Sequence, residues 1–499
     1  MPATPTRRPS SPGVVLLSFV AVLALLLGGG ALLPGRASAA DVPAPGAFVQ
    51  RSGSTLTLDG KPFRFSGANV YWLGLDDNVR DAAGQPTYPT RFRTDDAFRA
   101  ARASGGTVVR TWGGLVGCAR CIEPELGVFQ DSAFDALDYA VASAARHGQR
   151  LVVSLVDNWD YYHGSKHTFT RWRGLPESAF FSDPQVIADY QAYITHVVEH
   201  VNPYTGLAYS ADPTIMAWET GNEMWCQTCG GNHWDGSWTK AVADHIARVA
   251  PRQLVVDGNG TDPACTVGCL HEPSLDIDSV DVVDDHFYPA QTERVLSSAA
   301  TARRHGKAYL VGEYDWNGAR GGVGLSAFLG AVQTSGAAGA LMWSVVPHAD
   351  GSGFVDHADG FQFFFPGRTS DETARTRSIL SFARAVGGPA VSGSAPPAPC
   401  GVGVVRTGDR LGISWRGAAP AVRYQVQRRP TGGSGGSWTT LTYDAKDQRV
   451  ATGPLWTDGS SAVVRASGFE YRVAGVSMTG ARGSYSAAGR LGAPAACPS

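Results

Sequence analysis

The chain has 499 residues, of which 43% are hydrophobic and 17% charged, with a formal net charge of −2 at pH 7. That length buries a large core and leaves room for a second domain. The absence of a basic block argues against nucleic acid or an anionic membrane as partner, and a neutral substrate fits better. The 13 tryptophans and 16 tyrosines would suit sugar rings, although aromatic residues serve cores more often.

At the N-terminus, residues 1–40 read as an export signal. Arg7 and Arg8 give a charged start, the run from Val14 to Leu27 is apolar, and Ala37-Ser38-Ala39-Ala40 offers a small-residue cleavage site. The run is short for a membrane span, so removal is expected over retention as an anchor. The twin arginine leaves both the Sec and Tat routes open. The expected product is a secreted, extracellular monomer free of the membrane. Export also changes how the eight cysteines read: Cys118/Cys121, Cys226/Cys229, Cys265/Cys269 and Cys400/Cys497. In a cytosolic chain the CxxC pairs would suggest zinc or redox chemistry. In an exported chain the even count points to disulfides. Three local staples and one bridge across a terminal domain are expected, with crossed local pairings left open.

Between residues 41 and 387, eight apolar strand-like runs follow one another: 63–71, 107–112, 150–158, 214–223, 254–259, 280–288, 308–316 and 339–347. Amphipathic helix-like stretches separate most of them, among them 95–104, 132–148, 183–201 and 292–306. Near-continuous apolar strands are what a parallel sheet covered on both faces requires. Eight such units predict an α/β fold, a (β/α)8 TIM barrel with long loops. A doubly wound sheet is the alternative, disfavoured because no Gly-rich phosphate loop follows the first strand. Polar residues gather at the C-terminal ends of the runs: Asn69, Arg110, Asp157, Asn158, Asn222, Glu223, His286, Tyr288 and Glu313, with Trp343. Barrel active sites are built on that face from several strands together.

After a last helix at 373–387, residues 388–399 form a Gly/Pro/Ser linker. Residues 400–499 shift to short strands and turns. They resemble a small all-β sandwich of the fibronectin III or immunoglobulin-like kind, with Trp415, Tyr424 and Tyr471 in its core. Cys400 and Cys497 would tie its ends together. A spacer or stabilising role is expected of it ahead of polysaccharide binding.

Glu223 and Glu313 end the fourth and seventh runs. One such acid would read as a salt bridge or a cap. Two facing each other across a cleft can split a glycosidic bond, one protonating the leaving oxygen while the other attacks the sugar or activates water. Glu219 is different: residues four apart on a strand share a face. It would therefore point into the barrel below Glu223, as a buried, hydrogen-bonded acid. Glu223 and Asn222 can both reach the cleft only if the strand end departs from alternation.

The segments 67–75, 110–113, 155–164, 180–198 and 209–223, followed by Val311-Gly312-Glu313-Tyr314-Asp315-Trp316, resemble glycoside hydrolase clan A. Within it they resemble the fungal and plant endo-β-1,4-mannanases of family 5. The resemblance implies Glu223 as acid/base, Glu313 as nucleophile and Asn222 as the contact to the sugar hydroxyl at C2. It places Arg110 beside Glu313, keeping that carboxylate ionised. Tyr288 would donate to the nucleophile, and His286 would orient the acid/base or touch the sugar. Trp343 would be the platform under the ring, with Trp72 and Asn158 toward the glycone side. The implied substrate is a β-mannan-type polysaccharide or oligosaccharide, cleaved with retention of configuration.

The chain departs from that family in having Met224-Trp225 where Pro-Arg is common, Asp157 where Asn is common, and Tyr314-Asp315-Trp316 after the nucleophile. An exo-β-mannosidase or an endo-β-1,4-glucanase fits those changes as well. An inactive carbohydrate-binding barrel is disfavoured because the whole constellation is present. His163 and His167 have metal-like spacing but no acid partner in the motif, so neither a metal nor a cofactor is expected. Trp159, Tyr161 and Tyr162 lie on a loop after the third strand, as sugar contacts or as loop packing.

Overall fold

The computed structural model describes residues 46–229, 236–260, 262–357, 359–388, 394–431, 436–447, 450–459 and 468–497. The expected export signal (1–40) lies outside these residues, as does much of the expected linker (389–393).

Eight parallel strands close into a barrel in sequential order. They are β1 (Phe65–Asn69), β2 (Val108–Trp112), β3 (Arg150–Ser154), β4 (Ile215–Glu219), β5 (Leu254–Asp257), β6 (Val282–Phe287), β7 (Ala308–Asp315) and β8 (Gly339–Trp343). β8 returns to β1 with Gly339 opposite Phe65, which seals the ring. Nearly every strand residue is buried, as a sheet packed inside and out requires.

The outer layer is built from α1 (Arg91–Ala103), α2 (Asp135–Arg146), α3 (Pro184–Glu199), α4 (Ser237–Val249), α5 (Thr292–Arg304), α6 (Leu325–Ser335) and α7 (Ser370–Ala385). Their starts are chemically marked. Asp183 accepts from the amides of Gln185 and Val186 with Pro184 at the first helical position, and Thr369 accepts from Glu372 N–H. Between β5 and β6, the described residues of the crossover carry only the short helical turn Glu272–Leu275. No described helix is long and apolar enough to cross a membrane.

The strands are shorter than the apolar runs suggested. β3 stops at Ser154 and β4 at Glu219, so Asp157, Asn158, Asn222 and Glu223 stand on loops above the barrel. Isolated parallel bridges, Asp157 with Asn222 and Met224 with Asn259, carry the pairing onward there. All four expected cysteine pairs are disulfides.

The C-terminal module packs a three-stranded sheet on a four-stranded one. The first holds β9 (Cys400–Thr407), β10 (Arg410–Arg416) and β13 (Trp456–Asp458). The second holds β12 (Thr439–Ala445), β11 (Ala421–Pro430), β14 (Phe469–Ser477) and β15 (Gly489–Arg490). This is a fibronectin III-like sandwich, and Trp415, Tyr424 and Tyr471 are fully buried in its core.

Barrel and sandwich belong to one compact unit. His348, on the loop after β8, is buried between them. Its Nδ1 lies 2.7 Å from Asp96 Oδ2 of α1, and its Nε2 lies 3.1 Å from Asp447 Oδ2 of the sandwich. Asp96 also accepts from the backbone N–H of Ala419 at 2.7 Å. Burial alone would lower the His348 pKa, but the two carboxylates raise it to about 10. The joint is therefore a buried cation between two anions.

Candidate active site

Glu219, the last residue of β4, is fully buried. Four residues on, Glu223 adopts φ +50°, a left-handed conformation uncommon outside glycine. Met224 N–H donates to Gly258 O (2.8 Å), and Gly260 N–H donates to Met224 O (2.9 Å), which holds the turn in place. A Cβ on Gly258 would sit 1.7 Å from Gly221 O, so the two loops approach this closely only with glycine there. The broken alternation brings Asn222 and Glu223 to the cleft together while Glu219 stays below.

Glu313 is aimed by a second irregularity. The register of β7 shifts against both β6 and β8 around Gly312 and Glu313, a bulge of the kind that redirects a side chain. A Cβ on Gly312 would lie 2.0 Å from Asp284 Oδ2, so a larger residue there would displace the carboxylate that faces His286.

Arg110, fully buried at the end of β2, ties these pieces together. Nε and Nη2 donate to Glu219 Oε2 and Oε1 at 2.9 and 3.0 Å, a bidentate pair. Nη1 donates to Glu313 Oε1 (2.8 Å) and Asn69 Oδ1 (3.1 Å), and Nη2 also donates to Asn222 Oδ1 (2.7 Å). One guanidinium thus fixes the buried acid, the expected nucleophile and the expected sugar-binding amide, as a planar fork allows.

The remaining contacts complete the ring of charges. The Tyr288 hydroxyl donates to Glu313 Oε2 at 2.9 Å. His286 Nδ1 lies 2.7 Å from Glu223 Oε1 and 3.7 Å from Glu313 Oε2, and Nε2 lies 3.4 Å from Asp284 Oδ1. Glu223 Oε2 accepts from Trp159 Nε1 at 2.6 Å. A carboxylate oxygen of Glu223 and one of Glu313 lie within 4.8 Å of each other.

Burial, reinforced by the Glu223 charge, raises Glu313 to about 7 against the pull of His286, Arg110 and the Tyr288 hydroxyl. Burial also pushes Glu223 up, but His286, Trp159 N–H and Arg110 outweigh it and hold that carboxyl at about 2. Burial would lower His286, yet Glu313, Asp284 and Glu223 raise it well above the ordinary histidine value. These shifts favour a protonated His286 beside an ionised Glu223, in hydrogen-bonding contact.

Glu223, His286 and Glu313 have the spacing of metal ligands, as do Glu219, Asp284 and His286. The Arg110 guanidinium in contact with both Glu219 and Glu313 repels a second cation there. His163 is instead a buried partner of Asp157, at 3.1 Å.

Asp157 accepts from Asn222 Nδ2 (2.9 Å), Trp112 Nε1 (3.0 Å) and Trp159 N–H (3.1 Å). It orients the Asn222 amide from the side opposite Arg110. Trp343 lines a cavity of about 680 Å³ shared with Glu313, Asn222, Trp112 and Tyr161. Its ring stacks on Tyr71 at 5.3 Å, and its Nε1 donates to Asp359 Oδ2 at 2.9 Å. A second cavity of about 380 Å³ lies on the other side, walled by Trp225, Asn259, Asp262 and His286. Glu223 and Trp159 line both cavities.

Two expected site residues lie elsewhere. Trp72 is 1% exposed, with the Arg93 guanidinium over its ring at 5.7 Å. The helical turn Tyr71–Leu73 rotates Trp72 into the core and leaves its neighbour Tyr71 facing the cleft. Asn158 is also buried. Its Oδ1 accepts from Lys166 Nζ (2.5 Å) and Trp225 N–H (3.1 Å), so it braces the loop of the Cys226–Cys229 disulfide and does not reach the cavity. Sequence reasoning also passed over Tyr71, His357 and Asp359 in the cavity wall. Tyr71 adjoins the strand-end Asn69 and was within reach of the pattern. His357 and Asp359 come from a long loop after β8 that has no periodic signal.

The family model described as GH family 5 β-mannosidase-like matches residues 46–292. A putative mannan endo-1,4-β-mannosidase of rice (Oryza sativa subsp. japonica) is 32% identical over 380 residues, 65% of this chain and 74% of that protein. A second putative rice mannan endo-1,4-β-mannosidase is 29% identical over 70% of this chain and 92% of its own length. The solved structure of the hyperthermostable endo-1,4-β-D-mannanase from Thermotoga petrophila RKU-1 is 25% identical with a TM-score of 0.53. It covers 64% of this chain and 99% of that one. The chain belongs to the β-mannosidase-like glycoside hydrolases of family 5.

Proposed function

We propose that this glycoside hydrolase is a secreted endo-β-1,4-mannanase that cleaves mannan, glucomannan and galactomannan by double displacement. The observation that carries the reading is Glu223, within 4.8 Å of Glu313, with an open cavity on each side of it. That separation belongs to retaining enzymes, whose carboxyls stand about 5 Å apart, and leaves no room for the water of an inverting one. Cavities on both sides admit a chain that continues past the cleaved bond, which an exo-acting pocket would block. The names of the rice relatives support mannan as the polymer.

In the first step Glu313 attacks the anomeric carbon of the sugar in the larger cavity while Glu223 gives its proton to the departing glycosidic oxygen. The C1–O bond breaks and a glycosyl ester to Glu313 forms. For this Glu223 needs the proton that His286 holds 2.7 Å away. Substrate entry supplies the condition: the leaving oxygen takes the place of Trp159 N–H at Glu223 and excludes water, and both changes raise the carboxyl's affinity for the proton. In the second step Glu223 takes a proton from water, which attacks C1 and releases Glu313. Asn222 has one amide hydrogen on Asp157 and the other free for the C2 hydroxyl. Trp343 lies under the ring.

The test is the early product pattern from mannohexaose and cellohexaose. Mixed short manno-oligosaccharides, with cellohexaose left intact, are expected. Mannose alone as first product, or faster cleavage of cellohexaose, would overturn the assignment.

A further inference from the structure

The C-terminal sandwich carries a positive charge that the whole chain conceals. Residues 400–499 hold 12 arginines and lysines against 5 acids, in a chain whose formal net charge is −2. Part of this charge is concentrated on the outer face of the four-stranded sheet. Along β11, Tyr424 and Val426 point into the core, so Gln425, Gln427 and Arg429 point out; on β14, Arg472 lies between the buried Tyr471 and Val473.

Five side chains there form one ladder. Arg429 lies over Trp438 at 4.6 Å and Arg472 over the same ring at 4.2 Å. Arg472 also lies over Tyr485 at 4.0 Å, and Arg482 over Tyr485 at 5.1 Å. Arg429 is neutralised by Glu470. Arg472 and Arg482 have no carboxylate partner among the described residues. Arg472 donates twice to Gln427 Oε1 (2.9 and 2.7 Å), and Arg482 donates to Gln425 Oε1 (3.0 Å). Both glutamine amides donate to Thr440 Oγ1 (2.9 and 3.0 Å), which turns their oxygens toward the arginines. Burial, together with the charges of Arg429 and Arg482, holds Arg472 below the ordinary arginine value. Arg472, Arg482 and Tyr485 wall an open groove of about 680 Å³ closed on its other side by Pro396 and Pro397.

We propose that this groove binds an acidic, carboxylate-bearing polysaccharide, so that the sandwich anchors the hydrolase to a uronate-containing glycan while the barrel cuts a neutral one. Stacking on rings and hydrogen bonds to neutral amides fix two guanidinium planes and leave their charge uncompensated. A planar fork so held is suited to a carboxylate, which accepts two parallel N–H bonds. Charge complementarity recruits the polymer, and the fork geometry selects among anions. Single-stranded nucleic acid fits less well, because it binds by stacking bases on free aromatic faces, and Trp438 and Tyr485 already carry guanidinium groups. The proposal does not depend on which neutral polymer the barrel cuts.

The test is affinity electrophoresis of the full chain in gels containing polygalacturonate. Retardation is expected at low salt and should fade as salt screens the contacts. The double variant Arg472→Ala, Arg482→Ala should bind polygalacturonate about tenfold more weakly or worse, given the worth of charged hydrogen bonds. Its hydrolysis of mannohexaose should be unchanged. The double variant Arg472→Lys, Arg482→Lys keeps charge and fold but loses the fork, and it too should bind more weakly than wild type. The proposal fails if polygalacturonate does not retard the wild type, or if either double variant binds as wild type does. It fails equally if a single-stranded oligodeoxynucleotide of matched charge binds as tightly as polygalacturonate.

Discussion

Replacing Arg110 by methionine keeps an unbranched apolar stem and removes the guanidinium, with its charge and all five of its hydrogen bonds. Two consequences follow with different readouts. The first concerns Glu313, whose Oε1 lies 2.8 Å from Nη1. With charge centres about 4 Å apart and an effective dielectric of about 20, the attraction is about 4 kcal/mol, or about three pKa units as an upper bound. Neighbouring-charge effects of about one to three units are usual. Glu313, already raised to about 7, moves up further without its cation. The nucleophile must be ionised, so the acidic limb of kcat/KM moves to higher pH by about one to three units. The second consequence concerns Glu219, which is fully buried and loses a bidentate partner. Breaking such a buried pair costs about 3–5 kcal/mol, read as a lower urea midpoint. The assays are kcat/KM on a soluble manno-oligosaccharide from pH 4 to 9 and urea unfolding at pH 7. Arg110→Lys separates the causes: it keeps a charge, and with it most of the limb's position, but loses the fork and much of the stability. An Arg110→Met enzyme with the wild-type acidic limb and midpoint would refute the reasoning.

Trp159→Phe removes the indole N–H from Glu223 Oε2 and keeps an aromatic ring. Glu223, held at about 2 with this contact in place, rises by about one unit without it, which still leaves the proton on His286, so the basic limb of kcat/KM keeps its wild-type position. A displacement of that limb by a unit or more would contradict the account. His348 makes a prediction about stability. Its pKa in the fold is about 10 against an ordinary 6.5, so its contribution is complete below about pH 6.5 and is lost as pH rises through 10. That loss is of order 4 kcal/mol. Urea unfolding at pH 6 and pH 10 should show the decline in wild type and a flatter profile in His348→Gln. Parallel declines in the two would mean that His348 does not hold the joint.

The barrel was legible because its signal is periodic and repeated: eight apolar runs, seven of which bring a polar residue or Trp343 to their C-terminal end. Glu223, Glu313, Arg110 and the His286/Tyr288 pair were legible because each stands at the end of a strand that pattern identifies or within four residues beyond it. Strand periodicity put Glu219 inside the barrel below Glu223, and the left-handed backbone at Glu223 completes the separation. What the sequence hid is what depends on local backbone rotation. The turn at Tyr71–Leu73 exchanges Trp72 for Tyr71 at the cleft, and no pattern of residue types distinguishes two adjacent aromatics. Asn158 was misplaced because β3 ends at Ser154, and Asn158 is instead consumed by Lys166 and the backbone of Trp225. The cation ladder of the sandwich was hidden too. Its arginines are scattered between 429 and 482 in sequence and become one face only when β11 and β14 pair.

The pairing of Glu223 and Glu313 as acid/base and nucleophile is tested most directly by adding azide to Glu223→Ala and Glu313→Ala with an aryl β-mannobioside that carries a good leaving group. The account predicts that Glu223→Ala accumulates the glycosyl ester, which azide opens to the β-mannosyl azide. In Glu313→Ala azide enters the vacated space below the ring and gives the α-azide. The opposite pair of anomers, or wild-type hydrolysis in either variant, would contradict it.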